Sequence, residues 1–233
     1  MGAGVNAPCL IIALDVPSSV QALALAQALA GLPLWLKVGL ELFTAEGPDL
    51  VRVLLKRSFP LFLDLKFHDI PPTVRGAVRA AARLGAHMLT LHLEGGEAMA
   101  AAALEGRGEA RAGEPPIMGV TVLTSLRETE NGLLEDLVLQ RALEAKRWGL
   151  DGIVCSGREV SSVRKACGPD FLCLCPGIRF EGEPAGADQA RVVSPAEAVA
   201  AGADFLVMGR PVTRSANPAA AARRALNDMG RRA

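Results

Sequence analysis

A chain of 233 residues, 50% of them hydrophobic and 21% charged, carries enough apolar side chain for one large core, which excludes an intrinsically disordered polymer. Its 25 Lys plus Arg are balanced by 25 Asp plus Glu, so no net field draws it to nucleic acid or to an anionic membrane. Any anionic ligand must therefore be held by local groups.

The first segment, MGAGVNAPCLIIALDV, has no positive n-region and its apolar run is cut by Asp15, which is not the pattern of a secretory leader. The most apolar stretch, Ala22 to Leu36, is interrupted by Gln27, Gly31 and Pro33, and falls short of the ~18 continuous apolar residues of a membrane span. It reads as a helix, a turn and the start of a strand. Neither membrane nor nucleic acid is expected as a partner.

Eight short apolar runs follow one another along the chain. They are residues 9–16 (CLIIALDV), 34–40 (LWLKVGL), 61–67 (LFLDLKF), 87–93 (HMLTLHL), 116–123 (PIMGVTVL), 152–157 (GIVCSG), 171–178 (FLCLCPGI) and 204–211 (DFLVMGRP), and a helical pattern follows each. Near-continuous hydrophobicity is what strands of a helix-covered parallel sheet should show. The segments LGAHMLTLH, WGLDGIVCS and AGADFLVMG repeat one design: glycine at a helix end, a polar residue two positions on, then a strand. Eight such units predict an α/β fold, a closed (β/α)8 barrel forming one domain over 1–233, rather than a doubly wound sheet. No GxGxxG or Walker A sequence and no domain linker is present.

Four of the five cysteines, Cys9, Cys155, Cys173 and Cys175, fall in apolar strand-like segments; with Cys167 they read as thiols of a reducing cytoplasm rather than as a metal set. The histidines His68, His87 and His92 read as hydrogen-bonded structural residues. The longest stretch without a clear pattern, residues 179–193, follows the seventh strand and is a candidate lid.

Barrel chemistry sits at the C-terminal strand ends. There the chain places Asp15 after strand one, Lys37 on strand two, Asp64 and Lys66 on strand three with Asp69 just beyond, Thr124 and Ser125 after strand five, and Ser156 after strand six. Alternation sends Asp64 and Lys66 to one side of their strand and Leu63, Leu65 and Phe67 to the other. A lone Asp/Lys pair in such a place is most simply structural. Four alternating charges, Lys37, Asp64, Lys66 and Asp69, converging on a barrel mouth point instead to a site. Strands seven and eight end in Gly177 with Arg179 and in Gly209 with Arg210, and Gln189 lies on the lid. Glycine backbone and guanidinium forks in these two loops fit a phosphorylated ligand.

The run DLKFHDIPPT from Asp64 to Thr73, with IALDVP, LKVGLELF, GVTVLTS, VCSG, PGIR, DQAR and VMGRPVT in order along the chain, resembles the orotidine 5′-phosphate decarboxylase family. The resemblance implies a (β/α)8 barrel, a homodimer, that converts orotidine 5′-phosphate to UMP and CO2 in the cytoplasm with no metal and no organic cofactor. It implies Lys66 as the acid that protonates C6, Asp64 and Asp69 as carboxylates of the charged network with Asp69 serving the neighbouring subunit's site, and Lys37 and Asp15 at the ribose. Ser156 would read the base, Thr73 and Thr124 would line the nucleotide site, and Arg179, Gln189, Gly209 and Arg210 would hold phosphate.

Three other readings compete. A metal-dependent sugar-phosphate relative of the same barrel, such as a 3-keto-gulonate-6-phosphate decarboxylase or hexulose-6-phosphate synthase, needs an acidic ligand where this chain has Lys37. A non-catalytic UMP sensor has little use for Lys66 between carboxylates. A Schiff-base aldolase using Lys66 would need the neutral amine that flanking carboxylates disfavour.

Overall fold

A computed structural model of the chain describes residues 7–122, 133–182 and 192–230. Eight parallel strands close into a barrel in sequence order, with β1 (Cys9–Ala13) hydrogen-bonded to both β2 (Trp35–Gly39) and β8 (Phe205–Met208). Between them come β3 (Leu61–Phe67), β4 (Met88–His92), β5 (Ile117–Val120), β6 (Gly152–Val154) and β7 (Leu172–Cys175). Each observed strand lies inside one of the eight apolar runs, and most are shorter than the run. The surplus residues at the C-terminal ends belong to the loops that build the mouth.

Helices α1 (Ser19–Ala28), α2 (Leu40–Leu55), α3 (Pro71–Arg83), α4 (Gly96–Glu109), α5 (Leu133–Arg147), α6 (Val160–Cys167), α7 (Pro195–Ala201), α8 (Arg210–Thr213) and α9 (Pro218–Asp228) clothe the ring, and a 3-10 turn, Leu93–Gly95, precedes α4. Their starts are written locally. Ser194 and Glu197 form a reciprocal capping box, the Glu197 N–H donating to Ser194 Oγ at 3.2 Å and the Ser194 N–H to Glu197 Oε2 at 2.7 Å. Asn217 caps α9 ahead of Pro218. Among the described residues no helix is long and apolar enough to cross a membrane.

Alternation divides the apolar residues into two layers. Ile11, Ala13, Phe62, Met88, Met118, Leu174, Phe205 and Val207 fill the barrel interior, while Leu10, Ile12, Leu61 and Leu63 face the helices. Phe62 is fully buried in the interior, a burial worth about 1.5–3 kcal/mol. This floor closes the lower barrel, so a ligand can enter only from the C-terminal end. Cys155, Cys167, Cys173 and Cys175 are buried thiols, and no disulfide joins any of the five cysteines.

At the opposite end the threefold repeat has a structural meaning. Its glycines, Gly85, Gly149 and Gly202, take φ of +95°, +83° and +98°, a region costly for other residues. The polar residue two positions on accepts a backbone N–H from the first or second residue of the preceding strand. His87 Nδ1 takes the Leu61 N–H at 3.1 Å, Asp151 Oδ2 the Ile117 N–H at 2.8 Å, and Asp204 Oδ2 the Cys173 N–H at 2.7 Å. Arg107 from α4 donates to Asp151 at 2.6 Å, and Arg164 from α6 pairs with Asp204. His87 is thus structural, as the sequence suggests.

Candidate active site

A cavity of about 380 Å³ opens at the C-terminal end of the barrel. Asp15, Lys37, Asp64, Lys66, Arg179, Gly209 and Arg210, all expected from the sequence, line it together with Gly177, and so does Arg214. A larger groove of about 500 Å³ lies outside the ring between α2 and α3, but its walls are mainly Phe, Leu and Ala and gather no cluster of opposite charges. Convergent charge places the chemistry at the mouth.

The charged line runs Asp15, Lys37, Asp64, Lys66. Lys37 Nζ stands 2.9 Å from Asp15 Oδ1 and 3.5 Å from Asp64 Oδ2, and Lys66 Nζ donates to both Asp64 oxygens at 2.8 Å. Asp15 is the rim member, its side chain 60% exposed, while Lys37 and Asp64 are buried. Gly39 leaves room for this line: a Cβ there would stand 2.9 Å from Lys37 Nζ and 3.4 Å from Asp15 Oδ1.

Leu63, Leu65 and Phe67 pack outward against the helix layer, as alternation requires, yet the strand between them is not regular. Leu63 pairs with Leu89 and Phe67 with Leu91, so four steps along β3 oppose two along β4. Lys66 sits inside this bulge at φ +49°, a left-handed conformation that costs a non-glycine residue about 1–3 kcal/mol. Thr90, on β4 opposite the bulge, accepts the Lys66 N–H at 3.0 Å and donates to Asp64 Oδ1 at 2.9 Å.

Electrostatics keep both buried ions charged. Burial alone would raise the Asp64 carboxyl, but the Lys37 and Lys66 ammoniums and the hydrogen bonds from Lys66 and Thr90 bring it below the ordinary 3.8. Burial alone would lower Lys37, and the charges of Asp64 and Asp15 outweigh it, leaving Lys37 above the ordinary 10.5. Asp64 therefore stabilises the fold above its unfolded pKa, and that stability is lost as pH falls through the depressed folded value. Lys37 stabilises it below its unfolded pKa, with loss as pH rises through the raised folded value. The difference in thermal midpoint between the protein and its Lys37→Met variant should accordingly stay flat from about pH 5 to about pH 9. A change of more than about 2 °C inside that window would show that one of the two titrates there.

After β7 and β8, Gly177 takes φ +77°, Gly209 precedes the first residue of α8, and Arg179, Arg210 and Arg214 join the cavity wall. Arg214 was not singled out in the sequence, where an Arg four places after Arg210 reads as a surface charge. Thr90 and Gly39 were missed as well.

Three expected residues stand apart from this wall. Asp69 is exposed just past β3, its Oδ1 accepting the Ile70 N–H at 2.6 Å, and among the described residues no cation pairs with it. Asp15, not Asp69, completes the alternating line within one chain. Thr73 is exposed in the first turn of α3. Ser156 is buried beyond β6, its N–H donating to Glu159 Oε2 at 2.8 Å. Thr124, Ser125 and Gln189 lie outside the described residues, as do 183–191 of the candidate lid. His68 and His92 face each other with ring centroids 5.4 Å apart, and burial followed by the nearby His68 lowers the His92 pKa.

The comparisons with known proteins agree with one another. The profile of the "Orotidine 5'-phosphate decarboxylase / HUMPS family" matches residues 8–225. An orotidine 5′-phosphate decarboxylase of Nitratidesulfovibrio vulgaris is 53% identical over 227 residues, covering 94% of this chain and 97% of that protein. One from Maridesulfovibrio salexigens is 50% identical over 230 residues, covering 94% and 98%. Among solved structures, the orotidine 5′-phosphate decarboxylase of Lactobacillus acidophilus superposes with a TM-score of 0.83 at 33% identity, covering 95% of this chain and 99% of that one.

Proposed function

The chain belongs to the orotidine 5′-phosphate decarboxylase / HUMPS family, and from that premise we propose that it decarboxylates orotidine 5′-phosphate to UMP in pyrimidine biosynthesis, with Lys66 as the proton donor. The observation that carries the reading is the Lys66 ammonium held against both oxygens of Asp64, inside a cavity that Arg179, Arg210 and Arg214 also line.

The phosphate binds at the arginine wall and the backbone of Gly177 and Gly209, with Gln189 joining from the loop after β7. Asp15 and Lys37 take the ribose hydroxyls. Ser156 and Thr124 complete the pocket at the base. The pyrimidine C6 then lies at Lys66 Nζ and the departing carboxylate lies against Asp64. As the C6–carboxylate bond breaks, its electron pair stays on C6 and CO2 leaves neutral; the Lys66 ammonium stabilises the developing charge and gives it a proton. Lys66 recovers that proton from solvent. Asp64 remains ionised throughout, so the repulsion it exerts on the bound carboxylate disappears as the product forms. Arginine contacts remote from C6 supply the binding energy that holds this arrangement.

Asp69 and Thr73 belong, in this reading, to the site of a second subunit. Support comes from their exposure beside two apolar side chains at the same end of the barrel, Leu40 and Ile70, which are 55% and 65% exposed in the single chain. The site of action is the cytoplasm.

Within the family the competing reading is a metal-dependent sugar-phosphate enzyme. Its donor set does not fit here, because Asp15 and Asp64 already pair with Lys37, whose charge would repel a divalent cation. Purified protein without added metal should bleach the ultraviolet absorbance of the orotate ring, at a rate that a chelator leaves unchanged. Tight binding of substrate without turnover would instead make the chain a nucleotide sensor. Activity lost to the chelator and restored by Mg²⁺ would favour the sugar-phosphate reading.

A further inference from the structure

Thr90 lies mid-strand in β4 with no exposed surface, and the chemistry described above does not require it to touch the substrate. Its surroundings are unusual. Along a regular strand the Lys66 N–H, five residues on from the Leu61 N–H that points to the β4 side, would face β2, but the bulge leaves two extra residues on β3 and turns this N–H to the Thr90 hydroxyl on β4. A buried N–H needs only an acceptor, so a carbonyl would serve as well. The hydroxyl differs in having a proton of its own to place, and that proton goes to Asp64 Oδ1.

The contacts close on themselves. From the Lys66 N–H the chain of hydrogen bonds runs to Thr90 Oγ1, on to Asp64 Oδ1, and back to Lys66 through its own Nζ. The backbone and the head of one lysine are thus tethered to one hydroxyl and one carboxylate. Threonine suits the task because its β-branched side chain is stiff, and Leu89 and Leu91 on either side of it are fully buried.

We propose that Thr90 is a positioning residue for the decarboxylation: its hydroxyl fixes the left-handed turn at Lys66 and one oxygen of Asp64 together, so that the ammonium is aimed before substrate arrives. The role rests on the function proposed above.

Thr90→Val keeps the shape and removes the hydroxyl. Its kcat should fall about 10²-fold, the cost of a misplacement near 1 Å, while KM and the Kd for UMP stay within about threefold of wild type. Thr90→Ser restores the hydroxyl without the methyl and should recover kcat to within about fivefold of wild type, although its thermal midpoint is no higher than that of the valine variant. That split between activity and stability is what a purely structural threonine would not give. If Thr90→Val does not fold, Thr90→Ala makes the same comparison with Thr90→Ser. A valine variant within threefold of wild type in kcat, a parallel loss of kcat and UMP affinity, or a serine variant as slow as valine would each overturn the proposal. An inactive wild-type protein would overturn the function and the Thr90 role together, whereas an active wild type beside an equally active Thr90→Val overturns the role alone.

Discussion

Replacing Lys66 with alanine is expected to lower turnover of orotidine 5′-phosphate by roughly 10⁴-fold or more, because in the proposed mechanism one side chain supplies both proton transfer and stabilisation of charge at C6. The loss should lie in kcat. The arginines proposed to hold phosphate, Arg179, Arg210 and Arg214, are untouched, so UMP should still bind within about tenfold of wild type. Nor should the barrel unfold: Asp64 keeps Lys37 at 3.5 Å and the Thr90 hydroxyl at 2.9 Å, so the carboxylate is not left as an unpartnered buried charge. Absorbance decay of the orotate ring measures the rate, and calorimetric or fluorescence titration with UMP measures the binding. A variant that kept more than a tenth of the wild-type rate would remove Lys66 from the chemistry.

Asp69→Ala should be nearly as damaging, although Asp69 does not line the cavity of its own chain. If Asp69 acts in the partner's site, two crippled proteins can repair each other. In a mixed dimer of Lys66→Ala and Asp69→Ala chains, one site has lost both groups and the other has lost neither. Equal amounts, unfolded and reassociated at random, give half mixed dimers, each with one intact site, and should recover about a quarter of wild-type activity. Recovery near zero would place Asp69 in the site of its own chain, or the chain outside a dimer. Sedimentation of the wild type distinguishes these two.

Much of this was legible because barrel strands announce themselves. The eight apolar runs and the glycine-polar-strand repeat gave the architecture, and the charged residues and glycines at their C-terminal ends gave eight residues of the cavity wall. What was hidden depended on local geometry that residue type does not report. A positive φ is usually signalled by glycine; at Lys66 it is imposed by the β3–β4 mismatch and held by Thr90, so the bulge left no mark. Thr90 itself, within HMLTLHL, reads only as a good strand former. Gly39 reads as a strand end, although its value is the space it cedes to Lys37 and Asp15. Strand lengths were overestimated because the mouth loops continue the apolar composition of the strands they follow. Asp69 and Thr73 could be named from the motif but not placed, since both side chains are exposed and neither lines the cavity of its own chain.

The side chains that fasten the lower ends of the strands carry one more consequence. His87, Asp151 and Asp204 join β4 to β3, β6 to β5 and β8 to β7, whereas Arg107 and Arg164 reach from one such pair to the next. Six of the eight strands, β3 to β8, are therefore phased in twos, with arginines as couplers between these three modules. New chain termini opened between α4 and β5 would leave the clasp residues His87, Asp151 and Asp204 within continuous chain, while termini opened between α3 and β4 would leave His87, the acceptor of the Leu61 N–H, beside a free end. Circular permutation of this barrel has a grain, and it runs along the even-to-odd boundaries.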